Sequence, residues 1–252
     1  MPRRWTGAGT AFEIEWGSRS WTLRVDGDRP GLISADELPG TLLGLAGLAG
    51  VGRSAVDALS GATLIGCECR LGRVEATYAP PGWAELTVRA AWSPHGVDGL
   101  DLEIQIATAS VGQLRRVEVL VASGPADPGS PGFIEPRDAR SAGLTYDGRE
   151  PDVSGLTTLP PRPFSPRLSR RGGGGPPAWY AEFVHPQDVT RCLSSGPAPD
   201  CTTRYALFGH DLEKGVVLRA RLRGLWLPGG APRAEARKRY EAFLGEPPPL
   251  MT

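Results

Sequence analysis

Residues Trp83–Ser123 read WAELTVRAAWSPHGVDGLDLEIQIATASVGQLRRVEVLVAS, and their alternation decides the fold. Leu86, Val88, Ala90 and Trp92 point one way, with Glu85, Thr87 and Arg89 between them. Leu100, Leu102, Ile104 and Ile106 repeat the pattern against Asp101, Glu103 and Gln105, and Val117, Val119 and Val121 repeat it around Glu118. A period of two places successive side chains on opposite faces of an extended chain, so each run is a strand with one buried and one wetter face. The breaks, Ser93-Pro94-His95-Gly96 with Asp98-Gly99 and then Ser110-Val111-Gly112, carry turn chemistry. Three consecutive antiparallel strands are expected here.

Outward from this unit the same texture continues. Phe12, Ile14 and Trp16 alternate with Glu13 and Glu15, Trp21, Leu23 and Val25 with Thr22 and Arg24, and Gly17-Ser18-Arg19-Ser20 joins them as a hairpin. From Ala62 two more strands meet at Leu71-Gly72-Arg73 and end before Pro80-Pro81-Gly82. Between these pairs lies a segment with glycines at 44, 47, 50 and 52. A dinucleotide fingerprint needs a βαβ unit around it; among antiparallel strands the segment reads as a packed glycine-rich connection or a short irregular helix.

Residues 124–178 differ. Gly124 to Pro177 holds 11 of the 25 prolines and the run Gly172 to Gly175, so it reads either as a disordered linker or as a functional loop region over one end of the sheet, and the apolar anchors Phe133, Leu144, Tyr146, Leu156, Leu159 and Phe164 favour a region largely packed down. Strand returns at Trp179 to Val184, and Thr203 to His210 with Gly215 to Leu227 reads as a last hairpin. The one helix is expected at 233–245, with Pro232 near its start, Gly245 as cap and Pro247 as stop. Tyr240, Phe243 and Leu244 give it an apolar stripe that docks it on the sheets as a latch. The fold class expected is all-β: one large antiparallel β-sandwich domain over 1–252 with a C-terminal helix.

Composition narrows the partners. The 28 basic and 28 acidic residues give a net charge of zero, hence no global field for nucleic acid or anionic membrane. No apolar run approaches the roughly 20 residues that span a bilayer, and Glu13 and Glu15 interrupt any apolar segment behind Arg3 and Arg4, so a cytoplasmic protein is expected. Cys67 and Cys69 share a strand face with Ile65 and Leu71 and read as small core hydrophobes; Cys192 and Cys201 flank a turn-like loop that has the spacing for a disulfide, though reduced thiols are the default in the cytoplasm. No zinc-type spacing, P-loop or Gly-x-Ser-x-Gly elbow occurs, and neither metal nor cofactor is expected.

Three histidines are candidates for chemistry. His95 sits in a turn where an exposed polar residue is ordinary, and His210 ends a strand beside Asp211. His185 stands where a strand emerges, followed by Pro186, with Glu182 three residues before, Asp188 three after, and Trp179 and Tyr180 nearby. Alternation puts Tyr180, Glu182 and Val184 on one face and Trp179, Ala181, Phe183 and His185 on the other, so Glu182 and His185 do not share a face. Aromatic rings beside a carboxylate and an imidazole suit a sugar, whose C–H faces stack while its hydroxyls donate and accept. Arg219, Arg221 and Arg223 form a row on one face; cross-strand pairing with carboxylates such as Asp101 and Glu103, or with Glu13 and Glu15, is one reading, and an anion-binding face is the other.

The segments WSPHGVDGLDLEIQI, WYAEFVHPQDV and GVVLRARLRGLWLP, in that order before a closing helix, resemble the galactose mutarotase-like supersandwich found in aldose epimerases and in domains attached to glycoside hydrolases and lyases. The resemblance implies a protein that binds or processes carbohydrate. The epimerases use a histidine acid and a glutamate base, for which His185 and His210, with Glu182 and Glu213, are the candidates here. Trp179, Tyr180, Asp188, Arg219, Arg221 and Arg223 are the candidate binding residues. The alternative is a non-catalytic β-sandwich protein-interaction module presenting Trp5, Trp16, Trp21 or the helix.

Overall fold

The structure, a computed structural model, describes residues 4–17, 19–34, 40–56, 58–124, 133–134, 156–159, 167–171, 178–195, 203–227 and 232–247. The chain opens with β1 (Thr6–Ala8), β2 (Ala11–Trp16), β3 (Arg19–Arg24), β4 (Gly31–Ser34) and β5 (Thr41–Leu42). It continues through β6 (Gly44–Gly50), β7 (Arg53–Val56), β8 (Leu64–Arg70), β9 (Arg73–Tyr78), β10 (Leu86–His95), β11 (Gly99–Thr108) and β12 (Gln113–Ser123). Then come β13 (Phe133–Ile134), β14 (Leu156–Leu159), β15 (Arg167–Arg171), β16 (Ala178–Val184), β17 (Val189–Ser195), β18 (Thr203–Glu213), β19 (Val217–Leu227) and the helix α1 (Pro232–Leu244).

Every ladder is antiparallel, and the strands form three sheets: β1-β2-β3-β4-β5, β13-β15-β16-β19-β11-β10-β9-β8, and β14-β17-β18-β12-β6-β7. Inner faces of all three meet in one core. Leu100, Leu102, Ile104 and Ile106 of the eight-stranded sheet, Val117, Val119 and Val121 of the six-stranded sheet, and Phe12, Ile14 and Trp16 of the five-stranded sheet are all buried within it. The alternation read along Trp83–Ser123 is thus the pattern of burial. An antiparallel β-sandwich with, among the described residues, a single α-helix near its C-terminal end is the architecture.

Two expected pairings change. β12 follows β11 but does not pair with it: β11 lies between β10 and β19, while β12 crosses to the other sheet between β18 and β6. Likewise β18 and β19 belong to opposite sheets and are not a hairpin. Alternation reports which face is buried and says nothing about which neighbour supplies the hydrogen bonds. The glycine-rich segment is neither loop nor helix but the strand β6, whose residues Gly44 to Ala49 are buried in succession between β12 and β7. The loop region 124–178 contributes β13, β14 and β15 to the sheets; the side chains of its expected anchors, and Cys201, lie outside the described residues.

Cys67 is half-buried and packs against the core, as expected of a small hydrophobe, whereas Cys69 is exposed. Both lie on β8, the edge of the eight-stranded sheet. Ile65, at a register shift in β8, is 65% exposed, and Leu71, in the turn after β8, is 96% exposed, so neither shares a buried face with them. Trp5, Trp16 and Trp21 are buried, and their indole N–H groups donate to the carbonyls of Trp92, Asp98 and Trp16. They are therefore not available as an interaction surface.

Gly224 on β19 is required by close packing: a Cβ there would lie 2.5 Å from the Tyr180 hydroxyl and 2.8 Å from Trp16. Both neighbours are fully buried and have no room to withdraw. Gly224→Ala is expected to cost about 1–3 kcal/mol by overpacking, seen as a lowered urea midpoint with an unchanged m-value.

Candidate functional site

The outer face of the eight-stranded sheet carries the polar residues. Register sets them in rows: Asp101 of β11 opposite Arg223 of β19, Glu103 opposite Arg221, and Gln105 opposite Arg219. On the other side of β11, Ser93, Ala91 and Arg89 of β10 stand opposite Asp101, Glu103 and Gln105, and Glu75 of β9 stands opposite Ala91. The arginine row expected from β19 is real, and its neighbours are the carboxylates of β11 rather than those of β2.

Arg223 is 4% exposed and is held twice. Its Nε and Nη2 donate to Asp101 Oδ1 and Oδ2 at 2.6 and 2.8 Å. Nη1 and Nη2 donate to Glu246 Oε1 and Oε2 at 2.5 and 2.8 Å. Burial works against its charge, and the hydrogen bonds to Asp101 and Glu246 outweigh that, so its pKa is raised. The hydrogen bond from Arg223 correspondingly holds the Glu246 carboxyl below the usual glutamate range.

Glu246 follows α1, which lies on the same sheet face. Ala236, Tyr240 and Phe243 of the helix pack against Ala181 and Phe183 of β16 and Leu225 and Leu227 of β19. This is the latch expected from the helix's apolar stripe. The Phe243 ring meets two guanidiniums, with Arg221 5.0 Å and Arg223 5.2 Å from its centroid. Arg221 Nη2 lies 3.0 Å from Glu246 Oε2, while its buried Nε has no hydrogen-bond acceptor.

The other wall comes from the turn after β16. β16 pairs with β19 only as far as Val184 opposite Leu222. Beyond it Pro186 supplies no N–H, and the Asp188 carboxylate instead accepts the backbone N–H of Arg221. Asp188 N–H donates to the His185 carbonyl at 2.9 Å and the Asp188 carbonyl accepts from Phe208 N–H at 2.8 Å, which ties the turn to β18. Burial pushes the Asp188 carboxyl up, against the pull of His185 and of that Arg221 N–H. His185 Nδ1 accepts from Gln187 N–H at 3.3 Å, an arrangement that leaves Nε2 to carry the proton of the neutral ring.

Between these walls is a recess of about 190 Å³ lined by His185, Asp188, Arg219, Arg221, Phe243 and Glu246 among others. It gathers His185, Asp188, Arg219 and Arg221 from the expected set and leaves out the rest. Glu182 and Tyr180 point into the sandwich: Glu182 is 1% exposed, and its Oε1 accepts from Ser123 Oγ at 2.5 Å and Tyr180 Oη at 3.1 Å. His210 and Glu213 are exposed on β18 of the other sheet, where Glu213 accepts from Gln113 Nε2. Trp179 packs with the helix cluster, and Arg223 is committed to its two carboxylates. Glu246 and Phe243 were missed as site residues. Phe243 was legible as helix stripe, but Glu246 lies in a Gly-Glu-Pro segment whose sequence carries no sign of an arginine partner 23 residues earlier. Among the described residues no group of three His, Cys, Asp or Glu side chains gathers to hold a metal, and no helix is long and apolar enough to cross a membrane.

No family model matches the chain, and no curated protein sequence matches it. Among solved structures it is similar to a protein described as a putative aldose 1-epimerase from Klebsiella pneumoniae, with 10% identity and a TM-score of 0.46 over 96% of this chain and 86% of that one.

Removing Arg223 strands Asp101, which is itself buried. Arg223→Met is expected to destabilise the protein by about 3–5 kcal/mol, measured by urea denaturation, with part of the loss recovered when Asp101→Asn is added. Because the Glu246 pKa is depressed in the folded state, its contribution is complete above the ordinary glutamate titration and is lost as pH falls through the lower folded value. In Glu246→Gln the acid-side decline of stability should start from a lower plateau and be shallower, measured as urea midpoint against pH.

Proposed function

We propose that the protein binds a carbohydrate in the recess between β19, the His185–Asp188 turn and the segment after α1. The observation that carries this reading is the mixed lining: guanidinium donors from Arg219 and Arg221, carboxylate acceptors from Asp188 and Glu246, and the His185 imidazole, all on one recess of about 190 Å³. Each sugar hydroxyl both donates and accepts, so a ring of hydroxyls needs donors and acceptors at close quarters, whereas a purely ionic ligand needs one sign. The Arg221 Nε, buried without an acceptor, is one donor that a ligand hydroxyl would satisfy. Of the four candidate catalytic residues only His185 lines the recess. Any ring-opening chemistry would therefore rest on its Nε2–H as acid and on Asp188 as the carboxylate partner.

The test is a thermal-shift screen of the purified protein against neutral monosaccharides, uronic acids and oligosaccharides. A ligand bound only by the native state raises stability by about 2.7 kcal/mol at a hundred times its Kd. At least one sugar should raise the melting temperature, and His185→Ala and Asp188→Asn should each remove the shift. No shift with any member would sink the reading. Since burial raises the Asp188 pKa, the acceptor is protonated at a higher pH than an ordinary aspartate. Binding by the native protein should weaken as pH falls through that raised value, measured by repeating the titration across the acid range. Accelerated anomer exchange, lost in His185→Ala, would extend the reading from binding to catalysis.

A further inference from the structure

The same sheet face carries a second, larger cavity of about 440 Å³, lined by Arg70, Arg73, Glu75, Arg89 and Ser93 among others. Its lining includes one small side chain, Ser93 of β10, which stands opposite Asp101, among the long charged ones of its neighbours. Fully buried Ala91 stands between Glu75 of β9 and Glu103 of β11.

Three arginines on the described strands are used in one way. Arg223 grips Asp101, and Arg191 grips Glu118, each through the edge formed by Nε and Nη2. Arg89 turns the same edge to Glu75 Oε1. That edge presents two parallel N–H groups, matched to the two oxygens of a carboxylate. Arg73 is different. Its Nη1 lies 3.0 Å from Glu103 Oε2, an ion pair in which that oxygen accepts no hydrogen bond, while both Nε and Nη2 are buried without an acceptor. Glu75 Oε2 stands 3.6 Å from Nε, outside hydrogen-bond reach, and the other oxygen of Glu75 is engaged by Arg89. A buried N–H left unmade costs its full desolvation, so a native structure that keeps two on one guanidinium calls for a partner from outside the chain.

We propose that this cavity is an oxyanion site, in which the Nε and Nη2 edge of Arg73 holds a ligand carboxylate or phosphate side-on, with Arg70 and Arg89 flanking it. Glu68 and Glu75 share the lining with the three arginines and oppose any anion of high charge. A singly charged carboxylate is therefore the better fit, and a phosphate dianion the poorer one.

The experiment follows the Nε–Hε NMR signal of Arg73 in ¹⁵N-labelled protein, assigned by its loss in Arg73→Lys. Sodium D-glucuronate, inorganic phosphate, D-glucose and sodium chloride are titrated at matched ionic strength. Glucuronate should give a saturable shift of this signal that glucose and chloride do not. Arg73→Lys keeps the charge but loses the fork, and the glucuronate Kd, read from backbone amide signals around the cavity, should rise about tenfold or more. Arg70→Gln, a change at an exposed residue that leaves Arg73 in place, should weaken binding by a smaller factor. Saturation by phosphate in place of glucuronate would assign the oxyanion to a phosphate source and keep the site. A non-saturating shift equal to that with chloride, or an affinity unchanged in Arg73→Lys, would overturn the proposal. The sugar screen reports on His185 and Asp188 and this titration on Arg73, so either result can fail without the other.

Discussion

The double grip on Arg223 is the constraint on which the outer face of the eight-stranded sheet depends. Asp101 reaches it along the sheet and Glu246 reaches it from beyond the helix, so one guanidinium binds two elements that share no backbone hydrogen bond. Desolvating such a cluster is expensive, and an ion pair this deep is weak evidence of net stability. What it supplies is position. The helix buries Ala236, Tyr240 and Phe243 on the sheet without needing any charge to do so. Backbone hydrogen bonds from Gly245 and Glu246 N–H to the Ala242 and Phe243 carbonyls turn the chain at the helix end, and the Glu246 carboxylate pins that turn over Arg221.

Arg223 is itself closed to a ligand. Asp101 and Glu246 occupy its donors on both sides, so it has little left to offer a ligand. On its β9 side stands Arg73 with an unoccupied edge, and beside it on β19 stand Arg221 and Arg219, with Arg219 Nε donating to Gln105 at 3.3 Å. The two cavities share a sheet but draw on different strands. The recess sets the β19 guanidiniums beside Asp188 and Glu246, while the cavity on the β9 side sets Arg70, Arg73 and Arg89 beside Glu68 and Glu75. By register Glu103 and Gln105 of β11 stand between the two groups of arginines.

Burial was legible in the sequence and pairing was not. Leu100 to Ile106 and Val117 to Val121 announce their inner faces by period alone, yet the same period is compatible with β12 beside β11 or across the core from it. The strand Gly44–Gly50 was illegible for a different reason. It is buried on both faces, so nothing alternates, and its glycines and alanines carry none of the branched residues that mark a strand. On β8 a register shift between Leu64 and Gly66 takes Ile65 off the face of Cys67 and Cys69, and Leu71 lies in the turn that follows, so period alone misplaced both. Of the recess, His185, Asp188, Arg219 and Arg221 were visible because they cluster in two short segments. Glu246 and the open edge of Arg73 were not, because each is defined by the presence or lack of a partner far away in sequence.

That non-locality follows from the crossings. Since β11 passes to β12 and β18 to β19 between sheets, the neighbours of β11 are β10 and β19, and residues 101–105 meet residues 219–223 edge to edge. The charged rows therefore exist only when both crossings are made, and neither segment can assemble the face alone. A simple meander over the same residues would set Glu118 of β12 beside Glu103 and leave the β19 arginines without their carboxylates. Like charges side by side on one strand pair are unfavourable and opposite charges favourable, so the electrostatics of the outer face act in the same direction as the hydrophobic core in selecting the crossed topology.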